Sequence, residues 1–247
     1  MLREWVQRRG AHLDLLHRLE GPPEILECSR CKTATPDEGL WRCVTCLASP
    51  LFCRNCAVSE HNVNIFHRLE KWTGTSFRPS SLYELGFVIH LGHAGNQCPL
   101  STPAPYNPFL EDQEPQWEDE PEFDSDVTHD DTDSVPQLHM PETTPLCNTE
   151  DRTMVIIDVT GVHRHFVRWC CCADAEPVDT QLMSLRLFPS TFRQPSTAFS
   201  FALLDDFVLE ASECQTSAMR YFRKLRRLTS NAFPHTIPVC GPAIAGC

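Results

Sequence analysis

Eight residues between Cys28 and His67 have the types and spacing to hold metal ions. They run Cys28-x2-Cys31, Cys43-x2-Cys46, Cys53-x2-Cys56, then His61 and His67, four close pairs in succession. Thiolate and imidazole are donors that zinc prefers, four to an ion in tetrahedral geometry, at about 2.3 Å for sulfur and about 2.0–2.1 Å for nitrogen. A two-residue gap lets one tight turn aim two thiolates at a common point. Eight such donors suit two ions. A closed set of four leaves no position open to substrate, so the expected role of the metal is structural.

Four sequential pairs can bind two ions side by side or interleaved as a cross-brace. In a cross-brace, Cys28, Cys31, Cys53 and Cys56 form one site, with formal charge of about −2. Cys43, Cys46, His61 and His67 form the other, which is neutral. Arg30, Lys32, Arg42 and Arg54 lie beside these ligands in sequence and are expected to offset the negative site. Disulfides are the competing use of cysteine, and they need an oxidising compartment. The start, MLREWVQRRG, has no apolar core of a secretory signal. No stretch approaches the roughly 18–20 apolar residues of a membrane span. A reducing compartment is expected, nucleus or alternatively cytoplasm, with no membrane partner.

A third site is readable further on. His93 and Cys98 precede an acidic stretch, and Cys170 and Cys172 follow it. Loop closure costs only slowly more with length, so one ion can pin both ends. In a Cys-x-Cys strand, Cys170 and Cys172 point to one face while Cys171 points away. Buried free thiols are the alternative. Cys147, Cys214, Cys240 and Cys247 have no paired spacing and read as plain thiols.

The elements that must position these ligands follow from periodicity. Residues 1–20 read as a helix with an apolar stripe of Leu2, Trp5, Val6, Leu13, Leu16 and Leu19, stopped by Gly21-Pro22-Pro23. It is expected to pack on its own protein. Residues 24–73 form the finger, and so small a unit needs metal to fold. Leu82 to Leu91 is a short apolar segment. Met154 to Val159 and His163 to Cys170 read as a hairpin about Gly161. Gln181 to Phe188 reads as a further strand closed by Pro189. Ala202 to Leu228 reads as one long helix. The fold class is thus small α+β, with residues 74–98 and 152–231 forming one lobe. Between them, residues 99–151 hold fifteen of the 33 acidic residues, nine of the 20 prolines and no Lys or Arg. That composition reads as a disordered acidic insert, either a spacer or an interaction tail with Trp117 and Phe123 as sticky points. Net charge is −12, yet the remainder carries 21 basic against 18 acidic residues. Residues 232–247 read as an unstructured tail.

The finger resembles the ZZ and B-box cross-braced families, through its spacing and through Gly39-Leu40-Trp41-Arg42-Cys43 and Leu51-Phe52-Cys53. A RING ligase fits poorly, because its histidine sits mid-motif. A second likeness rests on stretches in order. They are Phe66-His67-Arg68-Leu69-Glu70-Lys71-Trp72, Leu91-Gly92-His93, Ile157 to His163, Cys170 to Cys172, Arg186-Leu187-Phe188-Pro189, Pro195 to Phe199, and Arg227-Leu228-Thr229-Ser230-Asn231. Together they resemble the CxC-type cysteine cluster region associated with KDZ (Kyakuja–Dileera–Zisupton) transposases of fungal genomes. The likeness runs over most of the chain apart from the acidic insert. In that family the cluster precedes a large transposase domain with an acidic metal-binding site. The chain ends sixteen residues after Asn231, so the resemblance implies a zinc-binding accessory region without the catalytic domain.

Three functions follow as expectations. The first is a non-catalytic zinc module that contacts DNA, chromatin or a protein peptide, with no small-molecule substrate. Arg220, Arg223, Lys224, Arg226 and Arg227 supply a basic face for phosphates, although Lys and Arg also suit a helix C-terminus for its dipole alone. The second is a remnant of a metal-dependent RNase H-like nuclease, with Asp158, Asp205, Asp206 and Glu210 as carboxylates. Against it, an Asp beside a turn is usually a turn residue. The third is a scaffold or gene relic without independent activity.

Overall fold

Residues 2–34, 39–100, 152–231 and Ile237 are described by the computed structural model, and among them are five α-helices and nine strands in two sheets. The expected acidic insert, apart from Pro99 and Leu100, lies outside these residues. So do Trp117, Phe123, Cys147, Cys240, Cys247 and the expected tail, Ile237 excepted.

Helix α1 (Leu2–Glu20) ends where Gly21 donates its N–H to His17 O at 3.0 Å and two prolines follow. Its described side chains are exposed, with Trp5 and Leu16 each 57% accessible. The expectation that this helix packs on its own protein is therefore corrected. An apolar stripe shows that a face favours burial, not what covers it. The attachment is at one end, where the buried Arg42 guanidinium donates to Leu19 O at 2.7 Å and to Glu20 Oε2 at 2.7 Å.

The first sheet holds β1 (Trp41–Cys43), β2 (Leu51–Phe52), β3 (Leu69–Trp72) and β4 (Phe77–Ser80), ordered β2-β1-β3-β4 and antiparallel throughout. The strands are short, and their ends deliver cysteine and histidine. Strand β1 finishes on Cys43, β2 runs directly into Cys53, and β3 starts two residues after His67. Helix α2 (Arg54–Glu60) begins at Cys53 as its N-cap and stops at His61.

The second sheet holds β5 (Val88–His90), β6 (Arg152–Asp158), β7 (Gly161–Arg168), β8 (Leu187–Pro189) and β9 (Thr197–Ser200), ordered β5-β7-β6-β9-β8. Strands β6 and β7 form a hairpin where one was expected, with Asp158 opposite Gly161, but β7 ends at Arg168, so Cys170 to Cys172 follow the strand rather than lie in it. Strand β5 runs parallel to β7, pairing His90 with Arg168. Alternation gives this sheet two buried faces. Met154, Ile156 and Ala198 face a core that continues to Trp41, Phe52 and Leu69 of the first sheet. Ile157 and Val162 face the other way, onto Leu203, Tyr221, Phe222 and Leu225.

Two sequence expectations change here. Gln181 to Phe188 is not a strand: α3 (Val178–Ser184) is a helix, and only Leu187–Pro189 is extended. Leu182 at full burial serves either period, so the short apolar run was ambiguous. The long helix is two helices, α4 (Phe201–Cys214) and α5 (Ala218–Thr229). Gln215 between them adopts a left-handed conformation (φ 50°, ψ 39°), and Ser217 caps α5 by accepting the N–H of Arg220. No helix of the described residues is long and apolar enough to cross a membrane.

Candidate metal centres

Three groups of cysteine and histidine converge among the described residues: Cys28, Cys31, Cys53, Cys56; Cys43, Cys46, His61, His67; and His93, Cys98, Cys170, Cys172. Within each group the donor atoms lie within 4.8 Å of one another. The first and third cysteine pairs of the finger thus meet, as do its second cysteine pair and two histidines.

The first group is built on a hydrogen-bonded turn. Cys28 donates its N–H to Thr33 O at 3.0 Å, Lys32 donates back to Cys28 O at 2.9 Å, and Lys32 is left-handed at φ 60°. Ser29 N–H ties this turn to Leu51 O at 2.8 Å. Across from it, Cys53 and Cys56 share the first turn of α2, where Ala57 N–H donates to Cys53 O at 2.9 Å. The Sγ atoms of Cys31 and Cys53 stand 3.7 Å apart.

In the second group, Cys46 Sγ lies 3.6 Å from His61 Nε2 and 3.3 Å from His67 Nδ1, and Cys43 Sγ lies 3.6 Å from His67 Nδ1. His61 is fully buried, and its Nδ1–H donates to Ala57 O at 2.7 Å. That bond leaves Nε2 with its lone pair facing the thiols, the arrangement a histidine ligand needs.

The third group depends on strand register. Because β5 is parallel to β7, Leu91-Gly92-His93 emerges beside Trp169-Cys170, and Leu91 N–H donates to Arg168 O at 2.9 Å. Gly92, His93, Ala94 and Gly95 all have positive φ, at 77°, 44°, 53° and 86°. Such a run persists only where its surroundings over-determine it. A Cβ on Gly92 would sit 2.6 Å from Cys170 Cβ, so glycine is required by close approach as well as by φ. His93 Nε2 lies 3.1 Å from Cys170 Sγ and 3.4 Å from Cys172 Sγ, while Cys98 Sγ lies 3.7 Å from Cys172 Sγ and 3.9 Å from Cys170 Sγ. Cys171 turns away, its thiol directed to Trp169 O.

These separations suit zinc. Tetrahedral donors at zinc distances stand about 3.8 Å apart for two sulfurs and about 3.6 Å for sulfur and nitrogen. A disulfide would bring two sulfurs to about 2.0 Å, and no described cysteine forms one. Proton affinities within each group also diverge, as they must when several thiolates converge without a cation. The Thr33 hydroxyl draws Cys31 down to about 6, while burial and the neighbouring Cys53 thiol push Cys56 up to about 12. Burial and Cys43 push Cys46 up to about 11. The Cys171 N–H draws Cys98 down to about 6, while Cys170 and Cys98 push Cys172 up to about 12. A divalent cation removes that conflict by accepting every donor deprotonated.

The cations expected to offset the first group are otherwise engaged. Arg42 sits between Glu20 and Glu70, with Nε 2.6 Å from Glu70 Oε2. Arg30 pairs with Glu60, Lys32 with Glu27 at 3.4 Å, and Arg54 donates to Leu85 O at 2.7 Å.

Sequence reasoning missed one positioning residue. Gln181, buried on α3, accepts Cys170 N–H at 2.9 Å and donates to Cys170 O at 3.2 Å and Glu176 O at 2.7 Å. Its amide holds both backbone polar groups of a candidate ligand, and a glutamine opening an apolar stretch was the signal.

The carboxylates proposed for a nuclease do not converge: no group of three or more candidate ligands among the described residues includes one. Asp158 is buried and accepts from Ser200 Oγ at 2.6 Å and from Thr160 N and Oγ1 at 3.1 and 2.8 Å. Asp206 accepts from Tyr221, and Glu210 from Lys224.

Residues 135–233 match a family model described as a CxC2 like cysteine cluster associated with KDZ transposases. The match contains Cys170, Cys172 and helices α3 to α5, whereas the finger lies outside it. No curated protein and no solved structure matches the chain.

Proposed function

We propose that this chain is a zinc-organised, non-catalytic interaction module, with a cross-braced pair of ions in the finger and a third joining β5 to the end of β7. The observation that carries this reading is the set of donor separations. Sulfurs at 3.7 and 3.9 Å, and sulfur to nitrogen at 3.1–3.6 Å, leave room for one zinc-sized ion in each group. Site one would be Cys28, Cys31, Cys53 and Cys56. Site two would be Cys43, Cys46, His61 and His67, and site three His93, Cys98, Cys170 and Cys172.

Bound zinc supplies a rigid four-way junction and charge neutralisation. The residues supply the rest: hydrogen-bonded turns aim the thiols, Ala57 O orients His61, and Gln181 orients Cys170. All four positions of each ion are taken by protein, so substrate has no place to bind. The engaged state of Asp158, Asp206 and Glu210 supports the non-catalytic reading. The matched family and the basic face of α5 favour a nuclear partner, DNA, chromatin or a peptide.

Elemental analysis of the purified full chain tests this, with three zinc ions per chain expected. Chelation, or Cys43→Ser, is expected to remove the circular dichroism of residues 28–67. Metal-free protein with unaltered circular dichroism overturns the proposal.

A further inference from the structure

A basic groove crosses the boundary between the finger and the second sheet. Its volume is about 610 Å³, and it is lined by Arg68, Lys224, Arg227, Leu228, Thr229 and Asn231. Arg68 comes from the finger, one residue after His67, whereas the others come from the end of α5 and the residues after it. None of the six is acidic.

Hydrogen bonds join the walls of the groove. The Arg68 guanidinium donates to Thr160 O in the β6–β7 turn. Thr229 Oγ1 accepts Val162 N–H at 2.7 Å and donates to Leu225 O at 2.9 Å. A Cβ on Gly161 would lie 2.6 Å from Thr229 Oγ1 and 3.3 Å from Arg68 Nη2, so turn, arginine and helix end are in contact.

Of its three cations, the two arginines are not neutralised. Lys224 is paired with Glu210 and Asp206. Among the described residues, no carboxylate forms an ion pair with Arg68 or Arg227, nor with Arg220 and Arg223 further along α5. On a 3.6-residue period, Arg220, Arg223 and Arg227 share one face, opposite buried Tyr221, Phe222 and Leu225. The seven residue steps from Arg220 to Arg227 rise about 10 Å along the helix. A nucleic-acid strand advances about 3.4 Å per phosphate along a duplex, so the row matches about three successive phosphates rather than one. No aromatic side chain lines the groove, and single strands are held by aromatic stacking.

We infer that Arg68 and Arg227 form a binding site for the phosphate backbone of duplex DNA, continued along α5 by Arg223 and Arg220. This rests on the proposed zinc reading, because site two fixes the strand end that carries Arg68. Contact is to phosphate, so affinity is independent of base sequence.

Fluorescence anisotropy with a labelled duplex of about 20 base pairs, read across a salt series, tests the site. The parent is expected to bind with a salt slope that falls by about one in Arg68→Gln and again in Arg227→Gln, each weakening binding about three- to ten-fold. Arg8→Gln on α1 makes the same charge change outside the groove and is expected to leave the slope unchanged. Zinc content is measured on every variant. If all variants retain zinc and the slope does not change in Arg227→Gln, the site is refuted while the zinc reading stands. The same holds if Arg8→Gln matches Arg227→Gln, or if a single strand of equal length binds as tightly as the duplex. Loss of binding together with zinc in the parent would point instead to failure of the zinc reading.

Discussion

At the scale of the residue, the third group is positioned by two residues outside the donor set, Gly92 and Gln181. Gly92→Ala would place a methyl group against Cys170 at a backbone angle that alanine disfavours. The expected outcome is loss of about one zinc ion per chain by elemental analysis, with the finger ions retained. Gln181→Leu leaves the Cys170 N–H and C=O without their hydrogen bonds to the Gln181 amide, a cost of about 1–3 kcal/mol. Denaturant unfolding should show that loss, and a competing chelator should remove one ion faster than from the parent. A third residue sets an acid limit. His165 is buried with neither ring nitrogen hydrogen-bonded, and burial holds it down to about 3; burial holds His163 down to about 4. Both are neutral in the folded chain at neutral pH, and unfolding raises them to about 6.5. The stability tied to their neutral form is therefore full above pH 6.5, and falls as pH drops from 6.5 toward 4 and 3 because the unfolded state takes up protons first. His165→Leu should lose less stability than the parent between pH 7.0 and 5.5, by about 1 kcal/mol, in unfolding experiments with zinc retention monitored.

At the scale of the element, the break between α4 and α5 is made by Gln215, which ends one helix, and Ser217, which caps the next. Gln215 sits left-handed at the C-terminus of α4, where glycine carries no steric penalty. Gln215→Gly should raise stability by about 0.5–1 kcal/mol, visible as a higher denaturant midpoint. The break was illegible in the sequence, because Leu204, Phe207, Ala218 and Phe222 keep helical spacing through it and no Gly or Pro marks it. The β6–β7 hairpin was legible, since a β-branched run meets Thr160-Gly161 and a second run follows. Helix α3 was not, because seven residues around one buried Leu carry too few turns to separate helix from strand. The twelve cysteines and histidines that spacing singled out are the twelve that converge in three groups. Paired soft ligands are rare enough to stand out by type alone. What aims them, Ala57 O, Gln181 and the Gly92–Gly95 turn, works through backbone geometry and tertiary contact and leaves little trace in composition.

At the scale of the whole molecule, short strands and small helices share two buried cores and three convergent groups of cysteine and histidine. Two core clusters back the second sheet on its two faces, and the finger meets the first of them through Trp41, Phe52 and Leu69. Structural zinc in small fingers contributes about 10–16 kcal/mol to folding, comparable with the whole stability of a typical domain. Three centres linking the finger to itself and β5 to β7 would therefore govern whether this chain folds at all. X-ray absorption at the zinc edge on purified protein tests this most directly. One site of four sulfurs, one of two sulfurs and two nitrogens, and one of three sulfurs and one nitrogen average to three sulfurs and one nitrogen per zinc. The account predicts that shell, with sulfur at about 2.3 Å and nitrogen at about 2.0–2.1 Å. An oxygen-rich shell, or two sulfurs or fewer per ion, would contradict it.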